Sequence, residues 1–471
     1  MTAASTTPVN APLVMLHLGL GSFHRAHQAV YLHQLHERGD TRWVLAGGNI
    51  RPDMADTMAA LQAQHGAYTL ETVTPAMARS YQRITSIRDV VPYDPALAGL
   101  VATGSDPRTR IVSFTVTEAG YYLDPANQLD LSSPDLAADL DAARSGQAGS
   151  TLYGALTAIL RQRMARGAGP VTLLNCDNLR HNGDRSRSGL LQFIEHAGDT
   201  ALLAWVQAHT TSPNAMVDRI TPRPTPDVAA RVKAATGRDD PAALMGESFI
   251  QWVIEDRFAN GRPAWEAVGV EMVESVAAHE EAKIRLLNAT HSCIAWAGTL
   301  AGMSYIHEGA QDPQIRQFAY DYATDDAIPV LSPSPIDLAT YRDVVLDRFS
   351  NPALKDTNQR VAMDAFSKIP GMIAPTIRDR LARGEAIASV AMLPALFLAY
   401  LQRWHRGRIS YIYQDQAMDP IVAHCICEAE DPVAVFCADT TLWGELANDA
   451  RLVDAVRSAR ARVAIFEKER A

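Results

Sequence analysis

The apolar run Leu13–Leu18 stops at Gly19-Leu20-Gly21, and a helical pattern over residues 28–38 follows within a few residues. Strand, glycine turn and helix in that order are the start of a parallel pairing, because parallel strands must be joined by a crossover helix. The alternation continues, with strand-like runs at residues 43–47, 110–116, Val171–Asn175 and 267–273, and an amphipathic segment at Leu152–Ala165. A chain written this way folds as α/β with a parallel sheet. Beyond about Glu274 the strand signals fade, and helical patterns dominate from Lys283, with breaks expected at Leu331-Ser332-Pro333-Ser334-Pro335 and at Pro370. At 471 residues the chain is too long for one core, so two domains are expected. The expected division is a Rossmann-type domain over residues 1–278, whose glycine turn suits dinucleotide binding, and a mostly α-helical domain over 279–471, left to bind the substrate. Residues 132–150 read as a polar excursion, and Thr221-Pro222-Arg223-Pro224-Thr225-Pro226 as a stiff surface connection.

Each part of the glycine turn has an expected task. Gly19 makes the tight turn, Gly21 lets the backbone approach a pyrophosphate, and the phosphates lie at a helix start where unpaired N–H groups favour anions. Phe23 and His24 complete the candidate cofactor contacts. His24 stands where a third glycine would allow close helix–strand packing, so that packing is expected to suffer. The ribose-binding residue should follow the second strand, where Asn49 and Asp53 are the candidates; Arg51 could instead meet a 2′-phosphate. NAD is the expected cofactor.

A formal charge of −10 argues against nucleic acid or an anionic membrane as partner, since phosphate surfaces need a basic face. Five scattered cysteines do not form a disulfide framework and suit a reducing cytoplasm. The apolar run from Ala391 to Leu401 contains Pro394 and is too short to span a bilayer. His424-Cys425-Ile426-Cys427 with Cys437 fits no common zinc spacing.

The chemistry concentrates in Glu280-Glu281-Ala282-Lys283-Ile284-Arg285-Leu286-Leu287-Asn288-Ala289-Thr290-His291. On an α-helix with Lys283 at zero, Glu280 falls at about 60°, His291 at about 80° and Asn288 at about 140°. All four lie on one side of a helix whose other residues are mostly apolar. A buried lysine, amide and imidazole are unfavourable unless paired or used, and proton chemistry at a carbon–oxygen centre uses all three. None of the fourteen tyrosines has a lysine four residues later, which removes the Tyr-x-x-x-Lys dehydrogenases. A clustered zinc-ligand set near the N-terminus is also missing. Lys283 is the remaining candidate base, since burial favours its neutral form, and Asn288 can donate to an alkoxide; the alternative is that Lys283 reaches solvent and Asn288 and His291 are satisfied core residues. A second polar island, Asn175-Cys176-Asp177-Asn178, ends a strand-like run, where open α/β sheets place ligands. An Asx-rich turn explains it as well.

Four motifs, Gly19-Leu20-Gly21-Ser22-Phe23-His24-Arg25-Ala26-His27-Gln28, Asn175-Cys176-Asp177-Asn178, Val217-Asp218-Arg219-Ile220-Thr221-Pro222 and Lys283 with Asn288 and His291, resemble the polyol-specific long-chain dehydrogenase family over nearly the whole chain. The resemblance implies Lys283 as base, Asn178 and Asn288 as the amides holding the alkoxide oxygen, His291 orienting substrate hydroxyls, and Glu280 linking the lysine to solvent. It implies Asp218, Arg360 and Lys368 near the polyol, no catalytic metal, and a monomer. Arg360, Asp364 and Lys368 recur every four residues, so they are expected on one helix face, where a surface ion-pair ladder is the alternative. The stretches Ala46-Gly47-Gly48-Asn49-Ile50-Arg51, Phe114-Thr115-Val116-Thr117-Glu118-Ala119-Gly120-Tyr121-Tyr122 and Asp356-Thr357-Asn358-Gln359-Arg360 point within the family to reversible oxidation of D-arabinitol to D-xylulose. Mannitol or another hexitol, or a hexuronate ketose such as fructuronate, is the alternative substrate. A non-catalytic dinucleotide sensor is the alternative from another class.

Overall fold

The computed structural model describes residues 11–124 and 127–470. The chain divides into two compact units, one of Met1–Val73 with Arg79–Ala277, the other of Thr74–Ala78 with Ala278–Ala471.

The first unit is built on six parallel strands: β1 (Leu13–Leu18), β2 (Trp43–Gly48), β3 (Ile87–Val90), β4 (Thr109–Phe114), β5 (Val171–Asn175) and β6 (Thr210–Thr211). Their spatial order is β3-β2-β1-β4-β5-β6. That is the doubly wound order with its reversal point beside β1. Side chains alternate across the sheet, as strand geometry requires. Met15, Leu45 and Ile111 enter one core and Leu16, Ala46 and Val112 the other. Both faces are therefore dry, which is why these strands read as unbroken apolar runs.

Two small sheets were not legible as strands, apart from the end of the run at 267–273. One joins Leu244–Glu247, Tyr68–Val73 and Arg79–Ile84; the other joins Glu271–Val273, Gln251–Glu255 and Ala215–Asp218. Tyr68–Val73 carries Glu71 fully buried, ion-paired to Arg79 and Arg231, so its pattern looks polar although its environment is not. The expected strand at 267–273 shrinks to Glu271–Val273, because a 3-10 turn at Trp265–Val268 and Gly269 at φ +93° occupy its first part. The supposed polar excursion at 132–150 holds a helix, Pro134–Arg144, started by a proline in its first turn.

The second unit is helical around one core. Three of its helices start at Asp-Pro pairs: Asp312, Asp419 and Asp431 accept from backbone N–H groups while the following proline occupies the first turn. Met392–His405, with Pro394 harmless in its first turn, runs through the centre and packs against Ala289–Leu300. The expected break at Pro370 is absent. Ala365–Lys368 continues through a π-helical turn, Ile369–Ile373, into Ala374–Ala382, and the widened turn accommodates a residue without an N–H. The break falls instead at Met363-Asp364, where Asp364 takes φ +56°. Among the described residues no helix is long and apolar enough to cross a membrane.

Candidate active site

In the first unit the glycine turn lies at the C-terminal end of β1. Gly19 has φ +98°, and a Cβ there would sit 2.3 Å from the Thr115 carbonyl oxygen, so no other residue fits. A Cβ on Gly21 would meet nothing nearer than 3.9 Å, which leaves this backbone open to approach. The turn is pinned from β2: Asn49 accepts from the Leu20 N–H at 2.8 Å and donates to the Asp53 carbonyl at 3.3 Å. Asn49 is thus buried inside the turn, with Asp53 exposed beyond it. An open glycine backbone at a strand end fits a dinucleotide pyrophosphate.

His24 does not loosen the packing as expected. Its ring stacks on His17 of β1 at 3.5 Å between centroids, and both side chains are fully buried. Gly47 supplies the close approach instead, since a Cβ there would be 2.8 Å from the Leu20 side chain. Burial holds His17 down to about 3, against a raising contact with the Gly19 carbonyl, and lowers His24 well below its ordinary value, with His17, His27 and Arg25 adding to the effect. The pair is uncharged at neutral pH. Phe23 is half-buried and stacks on His27 at 5.0 Å.

Arg51 follows β2 and donates to Tyr122 Oη at 2.7 Å, Asp135 at 3.0 Å and the Ser150 carbonyl at 3.3 Å. At the end of β5, the polar island forms the Asx turn that was one of its two readings. Asn175 accepts from the Asp177 N–H at 2.9 Å, an Asx turn. Asp177 accepts from the N–H groups of Val116 and Thr117 at 2.8 and 3.2 Å and from Tyr121 Oη at 2.5 Å, tying the loop after β4 to β5. Asn178 comes next and is exposed. Asp218 is buried at the end of Ala215–Asp218.

In the second unit Lys283, Asn288 and His291 share one continuous helix, but not a regular one. Ala277–Ala282 passes through a π-helical segment, Lys283–Asn288, into Ala289–Leu300. A π turn holds one residue more than an α turn, so everything after it is turned back by about 100°. His291 moves from about 80° to roughly 20° from Lys283, a tighter alignment than the regular helix allows. The carbonyls displaced by this register are taken up by hydroxyls: Thr290 donates to Leu286 and Leu287, and Ser292 to Asn288 at 3.1 Å. Two further π turns, Tyr322–Ala327 and Ile369–Ile373, pack against this one. Lys283 and Glu280 are buried, at 6% and 5% exposure; Asn288 is half-buried.

His291 stacks on Phe349 at 4.3 Å, and its Nε2 lies 3.2 Å from Asp356 Oδ2. Burial lowers the imidazole below its ordinary value, and Asp356 partly restores it. Asp356 also receives a two-point fork from Arg360, Nε to Oδ1 at 2.7 Å and Nη2 to Oδ2 at 2.6 Å. Its own burial would raise the carboxyl, but His291 and Arg360 together hold it well below the usual range. The expected Arg360–Asp364–Lys368 face does not exist, because the helix Asn358–Ala362 ends before Asp364. Arg360 pairs back to Asp356 instead, and Lys368 Nζ donates to the Val361 carbonyl at 2.6 Å. Burial brings Lys368 down to about 8, with Asp364 raising it and Arg360 lowering it. Asp356 was absent from the expected site residues; its only sequence signal was its place in the Asp356–Arg360 stretch, four residues before Arg360. Among the described residues no group of three or more His, Cys, Asp or Glu side chains is placed to hold a metal ion.

Comparison with known proteins is consistent along the whole chain. The Mannitol dehydrogenase Rossmann domain matches residues 14–267, and the Mannitol dehydrogenase C-terminal domain residues 275–464. D-arabinitol 4-dehydrogenases of Ralstonia nicotianae and Klebsiella pneumoniae are 61% and 54% identical, each over 97% of this chain and 98% and 99% of their own. The structure of Pseudomonas fluorescens mannitol 2-dehydrogenase in ternary complex with NAD and D-mannitol is 33% identical with a TM-score of 0.82, covering 98% of this chain and 94% of that one. A substrate-free D-sorbitol dehydrogenase is 32% identical with a TM-score of 0.87 at the same coverage. The chain belongs to the mannitol dehydrogenase family of polyol oxidoreductases.

Proposed function

We propose that the protein oxidises D-arabinitol reversibly to D-xylulose with NAD, using Lys283 as general base. The observation that carries this reading is the buried Lys283 aligned with His291 across a π turn, with Asn288 between them on the same helix. The identities to D-arabinitol 4-dehydrogenases support the substrate. For the cofactor, the open backbone at Gly21 suits a pyrophosphate. Arg51 is engaged by Asp135 and Tyr122, so a 2′-phosphate would have to displace an acid to reach it, which favours NAD over NADP.

The nicotinamide supplies the hydride acceptor. Neutral Lys283 takes the proton of the substrate hydroxyl as the carbon loses its hydride and the C–O bond becomes a carbonyl. Asn288 and Asn178 donate to the oxygen as charge builds on it, a preorganised stabilisation worth most where water is excluded. Glu280, three residues before the base, passes the proton toward solvent. His291, with Nε2 3.2 Å from Asp356 Oδ2, binds and orients the substrate hydroxyls. Asp218, Arg360 and Lys368 anchor the rest of the polyol.

The test is formation of NADH or NADPH by purified protein on D-arabinitol, L-arabinitol, mannitol, sorbitol, xylitol and ribitol, with fructuronate in the reducing direction. D-arabinitol with NAD is expected to give the highest kcat/KM. A preference for a hexitol or fructuronate would overturn the substrate assignment and leave the base in place. Dinucleotide binding with no turnover on any of them would favour the sensor.

A further inference from the structure

Asp356 sits where three pieces of the helical unit meet. Its backbone carbonyl accepts from the Ile306 N–H at 2.9 Å, and the Asn358 N–H donates to Ser304 at 2.9 Å, so the residue is held in a short bridge rather than on a mobile loop. The next residue, Thr357, caps the helix Asn358–Ala362 by accepting from the Arg360 N–H at 3.2 Å. From this seat one carboxylate reaches both His291 and Arg360. The fork uses Nε and Nη2 of the guanidinium. Phe349 stacks on one face of the His291 ring.

We infer that Asp356 is a positioning and specificity residue: it aligns His291 and Arg360 on the substrate and cancels the Arg360 charge, so that the site takes neutral polyols and rejects the corresponding sugar acids. The inference rests on the polyol reading above. An unpaired arginine in a binding site is a two-point receptor for a carboxylate. Here the fork already holds a carboxylate from the protein. The second cation, Lys368, is faced by Asp364, Asp415 and Asp356 as well as by Arg360. Two cations against three carboxylates leave no net positive charge to receive an acid, whereas hydroxyls need only directed donors and acceptors. Like-charge contact makes the discrimination repulsive, which sharpens specificity more than added attraction does.

The experiment compares KM for D-arabinitol with the inhibition constant of D-arabinonate, the same carbon chain ending in a carboxylate. It uses the wild type, Asp356→Asn and Arg360→Gln. Asp356→Asn frees the guanidinium charge, and the ratio of inhibition constant to KM is expected to fall by about tenfold or more. Arg360→Gln leaves Asp356 unopposed and is expected to move the ratio upward; its side chain is 64% exposed, so this variant stands even where the buried Asp356→Asn does not fold. A purely structural role would weaken both ligands together and leave the ratio unmoved. Ratios unchanged within about twofold in the folded variants overturn the assignment while the wild type still turns over polyol. A wild type that oxidises no polyol removes the proposed function, and this inference with it.

Discussion

Lysine is a residue that proteins normally leave in water, and Lys283 is buried at 6% exposure. If it is the base, Lys283→Ala lowers kcat by about 10²–10⁴-fold, while NAD affinity measured by nucleotide fluorescence stays unchanged. Near-normal turnover would remove the mechanism. Lys368 allows a different check. Its ordinary value of 10.5 falls to about 8 in the folded chain, burial being the main cause. Below pH 8 both folded and unfolded chains carry the proton, and the folded one bears a buried cation. Between pH 8 and 10.5 the unfolded chain binds more protons, so this group makes stability rise with pH. Lys368→Met should abolish that rise in denaturant titrations and stabilise the chain at pH 7; an unaltered pH slope would refute the burial argument. Lys283 was legible because an apolar helix surrounds it in sequence, whereas the setting of Lys368 is completed by Asp415, 47 positions further along the chain.

At the scale of elements, periodicity served well where helices are regular and failed where they are not. Leu13–Leu18, Val171–Asn175 and Leu152–Ala165 carry the bounds expected of them, because one or both faces are apolar throughout. The Lys283–Asn288 π turn has no sequence signature: its extra residue is accommodated by packing against two other π turns and by the Thr290 and Ser292 hydroxyls. The helix Asn358–Ala362, which carries Arg360, approaches Ala289–Leu300 closely because Gly298 is there. A Cβ at Gly298 would lie 2.8 Å from Asn358 Nδ2, and Asn358 is fully buried and bonded to the Met303 carbonyl. Gly298→Val should therefore destabilise by about 1–3 kcal/mol and raise KM for the polyol as Arg360 is displaced. Unchanged thermal unfolding and KM would show that this contact can relax freely.

At the scale of the whole molecule, the helical unit has a core of its own, and the two faces of the parallel sheet have theirs. Unfolding need not be a single transition, and a ligand of one unit stabilises that unit by mass action. NAD at a hundred times its Kd should shift the Rossmann unit's transition by about 2.7 kcal/mol, with NADP at the same concentration giving less. Calorimetry showing no shift with either would contradict the dinucleotide site. Fold class, family and the Lys283–His291 arc were all determined by the chain's local pattern, since strand and helix periods, glycine turns and a polar arc in an apolar helix are short-range facts. Tertiary structure alone decided which residues complete the corner around His291. Asp356 is 65 positions away from it, and only the packed bridge between residues 304–306 and 356–358 brings the carboxylate to the ring. The π register was decided in the same way, because backbone hydrogen bonding can shift by one residue at small cost when neighbouring turns and side-chain hydroxyls satisfy the displaced groups.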